Sequence, residues 1–186
     1  MKKAIWIVLA ALAVIVCGYC WTTYNTLVKL QQGVETAWAD VETQYQRRAD
    51  LIPNVIRTVK GYAKHEQETL AQVIAARSKA TQSGASIEEY AAAQKQVTTA
   101  LDRLIAIAEN YPDLKANTNF LELQAQLEGT ENRIAVARKK YNEIVKAYNT
   151  QTATFPSKLI ANMFGFEKKQ LFSATEDADK APIMEF

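Results

Sequence analysis

The amino-acid sequence predicts an all-α protein in which an N-terminal transmembrane helix is followed by an antiparallel four-helix up-down bundle. The first observation is an uncharged apolar run, AIWIVLAALAVIVCGYCW (4–21), close to the N-terminus. The second is composition, since only six glycines and four prolines occur in 186 residues. The third is that hydrophobic residues beyond the run recur at the spacing of amphipathic helices, without the sustained alternation that strands show.

The apolar run is long enough to cross a bilayer. As a helix it spans about 27 Å, close to the hydrocarbon thickness of about 30 Å. A cleaved signal peptide is the alternative, but its apolar region would be shorter and followed by a small-x-small site. The sequence Ala11-Leu12-Ala13 lies mid-run instead. We therefore predict an uncleaved single-pass anchor over residues 1–23, and leave open whether Cys17 or Cys20 carries a lipid.

The charges around the span predict its orientation. Lys2 and Lys3 precede it, whereas only Lys29 follows it closely, so the positive-inside rule places the N-terminus in the cytoplasm and the helical domain outside. Once Lys2 and Lys3 are set aside, the 22 basic residues fall to the number of acidic residues, 20. A neutral domain with interspersed charges predicts no nucleic-acid partner.

Residues 24–154 are predicted to form the bundle. The first helix carries an apolar seam made of Tyr24, Leu27, Val34, Trp38, Val41 and Tyr45. Pro53 cannot donate to the helical ladder and disfavours helical geometry at Ile52. We therefore predict a tight turn at Asp50–Pro53, with a kink as the alternative, and a second helix that ends in the polar loop 81–86.

The third and fourth helices have clear sequence signals. Ser86 with Glu89 has the pattern of a capping box that opens the third helix, and Asn119 with Glu122 is the predicted start of the fourth. The fourth helix repeats an apolar residue every seven positions: Phe120, Leu127, Ile134, Tyr141 and Tyr148. Short connections favour antiparallel neighbours, so the fourth helix is expected to return toward the membrane.

Residues 155–186 combine an apolar segment, FPSKLIANMFGF (155–166), with an acidic tail. The apolar segment has two interpretations. Its side chains either fold back over the open end of the bundle, or lie at the membrane interface with Lys158, Lys168 and Lys169 toward the lipid phosphates. The residues of this predicted membrane contact are Leu159, Ile160, Met163, Phe164 and Phe166.

Several strings resemble the LemA family of bacterial membrane proteins. They are YNTLVKL, AWADVETQYQRRADLIPNVIRTVKGYAKHE, YPDLKAN, TENRIAVARKKYN and FPSKLIANMFGF. The resemblance covers the chain from about Tyr24 to the end, and RRADLIPN followed by VKGYAKHE is its most specific part. It implies a single span in the bacterial cytoplasmic (inner) membrane and a LemA-like four-helix bundle, and it implies no established enzymatic activity, cofactor or catalytic residue.

The string KHEQETL contains the single histidine of the chain, His65, followed by Glu66. The zinc-hydrolase motif H-E-x-x-H begins in this way, but Thr69 stands where the second histidine is needed. The bundle also lacks cysteine, and no nucleotide-binding glycine motif or serine-hydrolase elbow occurs. We therefore predict no catalytic residue, no metal and no cofactor. His65 is expected to bond a nearby carboxylate, or alternatively to form with Glu66 a pH-sensitive contact.

Arg47, Arg48, Asp50 and Asn54 surround the predicted turn, at the end of the bundle expected to lie farthest from the membrane. In the structural interpretation Asp50 caps the second helix and the arginines interact with the dipole of the first. In the functional interpretation the group is a partner-docking or anion-binding tip that uses the forked donors of arginine.

The leading functional hypothesis is a membrane-tethered, non-catalytic scaffold or adaptor for envelope proteins. Its expected partners are the lipid bilayer and an unidentified envelope protein, and small residues in the span would allow a homo-oligomer. One alternative is an envelope enzyme or enzyme subunit that uses the region of Arg47, Arg48 and His65. Another is a transmembrane sensor that relays a signal through the anchor helix.

Overall fold

The computed structural model describes residues 2–63, 65–81 and 86–172. The all-α prediction is confirmed, because this part of the chain forms six helices and no strand. The helices are α1 (Lys2–Tyr62), α2 (Gln67–Ala80), α3 (Ile87–Ala108), α4 (Pro112–Lys115), α5 (Thr118–Ala153) and α6 (Ser157–Phe164). The predicted acidic tail lies outside the described residues from position 173 onward.

The N-terminal part of α1 is the predicted anchor. It contains a stretch with a mean hydropathy of 2.4, long and apolar enough to cross a membrane by length and composition. Its large apolar side chains, from Ile5 to Trp21, are exposed rather than packed against the rest of the chain. Exposure of this kind is what a lipid-facing helix requires, and it distinguishes the segment from a buried core helix.

The turn predicted at Asp50–Pro53 is wrong, because α1 continues through Pro53 to Tyr62. Pro53 lacks the N–H that would bond the carbonyl of Ala49, four residues earlier in the helix. Arg77 of α2 replaces this donor: its Nε lies 2.9 Å from the Ala49 carbonyl oxygen. The carbonyl that proline orphans is therefore satisfied from a neighbouring helix, and the first break in the chain comes only after Tyr62.

The chain divides into two compact units. The first combines Met1–Glu42 with Lys139–Gln170, and the second combines Thr43–Arg138 with the segment that begins at Leu171. Both α1 and α5 contribute to each unit, and the arrangement of residues 24–154 as an antiparallel four-helix bundle stays a prediction.

Parts of α1, α2, α3 and α5 build the core of the second unit, which also includes Leu114 of α4. Its large buried side chains include Ile52, Val55, Val59, Leu70, Val73, Val97, Leu101, Leu104, Phe120 and Leu127. The capping box of Ser86 and Glu89 is present and opens α3. Asn117, rather than the predicted Asn119, caps α5, since its Oδ1 accepts from the N–H of Phe120 at 3.0 Å.

In the first unit, α1 and α5 pack side by side in opposite directions. Asp40 pairs with Lys140 at 3.0 Å, and the rings of Trp38 and Tyr141 lie 5.7 Å apart. The seven-residue repeat predicted for the fourth helix lies on α5. It is confirmed along the whole helix, because all five of its apolar residues are buried: Phe120, Leu127, Ile134, Tyr141 and Tyr148.

Candidate functional site

Arg48 is buried inside the second unit, with 2% of its surface exposed. Its Nη1 donates to Thr98 Oγ1 at 2.8 Å and to Glu131 Oε2 at 2.5 Å. Its Nη2 donates to the side-chain oxygen of Gln94 at 2.9 Å and to the backbone oxygen of the same residue at 3.2 Å. The Arg48 guanidinium therefore joins α1 to α3 and α5 inside the unit. The prediction that Arg48 belongs to an exposed docking tip is wrong.

Tyrosine rings extend the Arg48 network. The Arg48 guanidinium lies 5.3 Å from the ring centre of Tyr45, and Tyr45 packs edge to face on Tyr90 at 5.4 Å. Burial raises the pKa of Tyr45 above its usual value, against the lowering effect of Arg138 and Arg48. Tyr45 is therefore a neutral group at physiological pH, and the network fixes helix packing as buried polar clusters can do.

Arg47 lies one residue earlier and is exposed. It lines a groove of about 400 Å³ in the second unit, between α1 and α5, together with Leu51, Ala125, Gln126, Gly129, Thr130 and Arg133. No acidic residue lines the groove. Within the part of the chain that the structure describes, neither Arg47 nor Arg133 is paired with a carboxylate. The groove therefore presents two guanidinium groups beside the apolar side chains of Leu51 and Ala125.

The other residues of the predicted tip lie along the surface of α1. Asp50 does not cap a helix, because α1 continues past it, and it accepts instead from Gln46 Nε2 at 2.7 Å. Asn54 is exposed, and its backbone carbonyl accepts from the hydroxyl of Thr58 at 3.0 Å. The structure thus places Arg47 alone of these four residues in a concave, positively charged setting, and a docking role for it stays a prediction.

His65 and Glu66 lie between α1 and α2, where His65 is exposed. The carboxylate of Glu66 accepts from the hydroxyl of Tyr111 at 3.2 Å, and burial together with Glu66 raises the pKa of Tyr111. Glu66 is therefore engaged with the loop that precedes α4, and the predicted pH-sensitive contact of His65 stays a prediction. Among the described residues, no group of three His, Cys, Asp or Glu side chains could hold a metal ion.

The apolar segment 155–166 has one side packed on the protein and another side exposed. Ile160 and Ala161 are buried against Leu27, and Phe166 packs on the same cluster. Leu159, Met163 and Phe164 remain 62%, 66% and 54% exposed, respectively. The predicted membrane contact is therefore wrong for Ile160, whose side chain faces α1, while three of the five residues remain available for it.

Comparisons with known proteins identify relatives that match most of the chain. The model of the LemA family matches residues 37–186. The Protein LemA of Metamycoplasma hominis is 24% identical over 152 residues, which is 82% of this chain and 69% of that protein. The magnetosome protein MamQ 2 of Paramagnetospirillum magneticum and MamQ of Magnetospirillum gryphiswaldense are each 23% identical over 186 residues, covering 87% of this chain and 68% of each relative. None of these names states a reaction.

Proposed function

This chain belongs to the LemA family, and on that premise we propose that it is a membrane-tethered, non-catalytic scaffold or adaptor for proteins of the bacterial envelope. Its anchor lies in the cytoplasmic membrane, and its helical part lies on the extracytoplasmic side. The observation that carries this proposal is the groove with Arg47 and Arg133, which places two positive charges at the surface. The neighbouring Arg48, in contrast, is buried and bonded to Glu131.

The distribution of polar groups favours an adaptor over an enzyme. A catalytic site gathers titratable groups in one pocket, with a nucleophile or base in reach of a substrate. In the second unit, Arg48 is bonded to Glu131 and Gln94, and Glu66 is bonded to Tyr111. The pocket that Arg48 lines does not include His65. Of the three residues named for an enzyme, Arg48 therefore serves a structural contact and lines a pocket separate from His65.

The groove suits an acidic segment of a partner protein. Arginine donates in a planar fork that matches a carboxylate, and Leu51 and Ala125 beside it favour an apolar side chain in the same segment. A single exposed ion pair contributes only about 0.2–1 kcal/mol. Binding at this surface would therefore depend on both arginines together with the apolar contact.

The names of the relatives are compatible with one helical framework that serves different assemblies. Two of them are named as magnetosome proteins, whereas another is named only for the family. A helical scaffold can serve different assemblies if partner choice depends on surface side chains, as fold and function are separable in general.

The test is site-specific photo-crosslinking of the full-length protein in its native cells. A photoreactive residue replaces Gln126, which is exposed and lines the groove. The same experiment is repeated in Arg47→Glu/Arg133→Glu and in Arg57→Glu, where Arg57 is an exposed arginine of α1 outside the groove. We expect one envelope protein to be captured, to be lost on the double reversal, and to be retained in Arg57→Glu.

A charge-swap variant completes the test. Replacing acidic residues at the crosslinked site of the captured protein by lysine should restore capture in the double reversal. Capture that is equal in all three proteins would show that the groove is not the docking surface. Capture of the chain by itself would identify a homo-oligomer and contradict an envelope partner at this groove.

A further inference from the structure

The register of α6 against α1 shows where the end of α6 points. Ile160 and Ala161 contact Leu27 of α1, whereas Phe164 lies nearer the N-terminus of α1, with its ring 4.8 Å from that of Tyr24. Phe166 follows at 5.8 Å from the same ring. α6 therefore descends along α1 toward the apolar run that ends at Trp21.

The chain reverses at Gly165 and leaves the anchor again. Gly165 ends α6 in the left-handed conformation, with φ 74°, which glycine adopts without steric cost. Asn149 of α5 then holds Lys169 by both backbone groups, at 2.8 and 2.9 Å, and the Tyr141 hydroxyl donates to the carbonyl of Gln170 at 3.1 Å. Residues 164–166 are therefore a turning point beside Tyr24, three residues beyond the end of the apolar run at Trp21.

This hook, residues 157–166, carries exposed apolar side chains. Leu159 and Met163 are one helical turn apart on the same face of α6, and they are 62% and 66% exposed. Burying a side chain of this size is favourable by about 1.5–3 kcal/mol, so leaving both in water forgoes substantial stabilisation. An exposed apolar patch of this kind marks an interaction surface.

The position of the hook along α1 identifies its occupant as lipid. Tyr24 lies three residues beyond Trp21, about 4.5 Å along the helix, and the headgroup layer on each side of the hydrocarbon is about 5–7 Å thick. Phe164, at the level of Tyr24, therefore falls in the headgroup layer. Lys158 and Lys168 are exposed beside the hook and would meet phosphates there, as interfacial helices do.

We propose that the hook lies in the membrane interface where the span ends, with Met163 and Phe164 in the headgroup layer. Contact with lipid covers apolar surface that the first unit leaves open and gives the protein a second attachment beside its span. This inference requires the membrane anchor but not the adaptor role, and it is independent of which side of the membrane the domain occupies.

The test is spin labelling of the full-length protein in lipid nanodiscs. Single cysteines replace Met163, Asn162 or Val136 in a Cys17→Ser/Cys20→Ala background. Asn162 is exposed on another face of α6, and Val136 is an exposed apolar residue of the second unit. Collisions with oxygen report lipid, and collisions with a water-soluble nickel complex report solvent. We expect the label at 163 to be several-fold less accessible to nickel than that at 136, with the label at 162 intermediate.

Two results would overturn the proposal. Equal nickel accessibility at 163 and 136 would place the hook in water. A label at 163 that is shielded from nickel and oxygen alike, and broadened by a label of another molecule, would show that a second copy covers this face. Far-UV circular dichroism of each variant checks the fold, and Phe164→Cys, at the level of Tyr24, provides a second probe if Met163→Cys does not fold.

Discussion

Arg47 and Arg48 are neighbours in sequence, yet only one of them faces solvent. Consecutive residues of a helix are about 100° apart around its axis, and Arg48 follows Tyr45 by three positions and precedes Ile52 by four. It therefore shares the buried face of α1 with these residues. The apolar seam predicted to end at Tyr45 therefore continues through Arg48 to Ile52. The predicted turn at Asp50–Pro53 placed Arg48 at the end of a helix, where it would have been exposed.

Removing the Arg48 charge should destabilise the second unit. We expect Arg48→Met to lower the free energy of unfolding by about 2–4 kcal/mol, because Gln94 and Thr98 lose a charged donor and Glu131 loses its partner. Glu131 is half exposed, so water solvates its free carboxylate and limits the cost. Urea unfolding of the detergent-solubilised protein, followed by circular dichroism, measures the effect.

A double-mutant cycle isolates the Arg48–Glu131 pair. Glu131→Gln should cost less in wild type than Arg48→Met does, and the two losses should not add when combined, since contacting residues couple by about 0.5–3 kcal/mol. Arg57→Met is the matched control, expected to stay within about 0.5 kcal/mol of wild type as an exposed residue. Strict additivity would mean that the pair contributes no coupling.

At the scale of the element, α1 is continuous because α2 compensates for its proline. A proline inside a helix normally costs about 3 kcal/mol or more, and the sequence alone gives no sign that a distant arginine supplies the missing donor. The capping box of α3 and the repeat of α5 were predictable because they are local and periodic. The passage of α1 through Pro53 was not, because it depends on a contact between residues 28 positions apart.

The contact between Arg77 and Ala49 leads to a prediction about Pro53. We expect Arg77→Met to cost about 1–3 kcal/mol in wild type, because the Ala49 carbonyl loses its donor. In Pro53→Ala the backbone N–H of residue 53 can bond that carbonyl, so the same substitution should cost clearly less. Unfolding of the four proteins in urea measures the difference. If Arg77→Met lowered the free energy of unfolding equally in both backgrounds, Arg77 would not stabilise the protein by bonding the Ala49 carbonyl.

At the scale of the molecule, buried tyrosines in both units predict a common response to alkali. Burial raises the pKa of Tyr45 in the second unit and of Tyr141 and Tyr148 in the first. In the unfolded chain these hydroxyls ionise at about pH 10, while the folded protein retains their protons. Their contribution to stability is therefore complete below about pH 10 and is lost as the pH rises above that value.

The Tyr148→Phe variant tests this response. It removes one group that ionises more readily in the unfolded chain, so its stability should fall less steeply than that of wild type between pH 9.5 and 11. Urea unfolding at a series of pH values provides the comparison. The same slope in both proteins would show that Tyr148 ionises equally in the folded and unfolded states.

Most of the architecture and part of the site were predictable from sequence. The span, the helical class and the buried repeat of α5 follow from composition and periodicity. The groove was found only in part, since Arg47 was identified but Arg133 was not. Placing the two together requires the register of α1 against α5, which Arg48 and Glu131 reveal in the structure. Two exposed arginines 86 positions apart carry no sequence signal of proximity.

The exposed side chains of the hook have a consequence for handling the protein. Removing residues 1–23 takes away the hydrophobic span but leaves Leu159, Met163 and Phe164 uncovered in aqueous buffer. Such a shortened chain would still bind detergent or self-associate during purification. Exchanging Leu159 and Met163 for polar residues, in addition to the deletion, is the change that would give a monodisperse, detergent-free preparation.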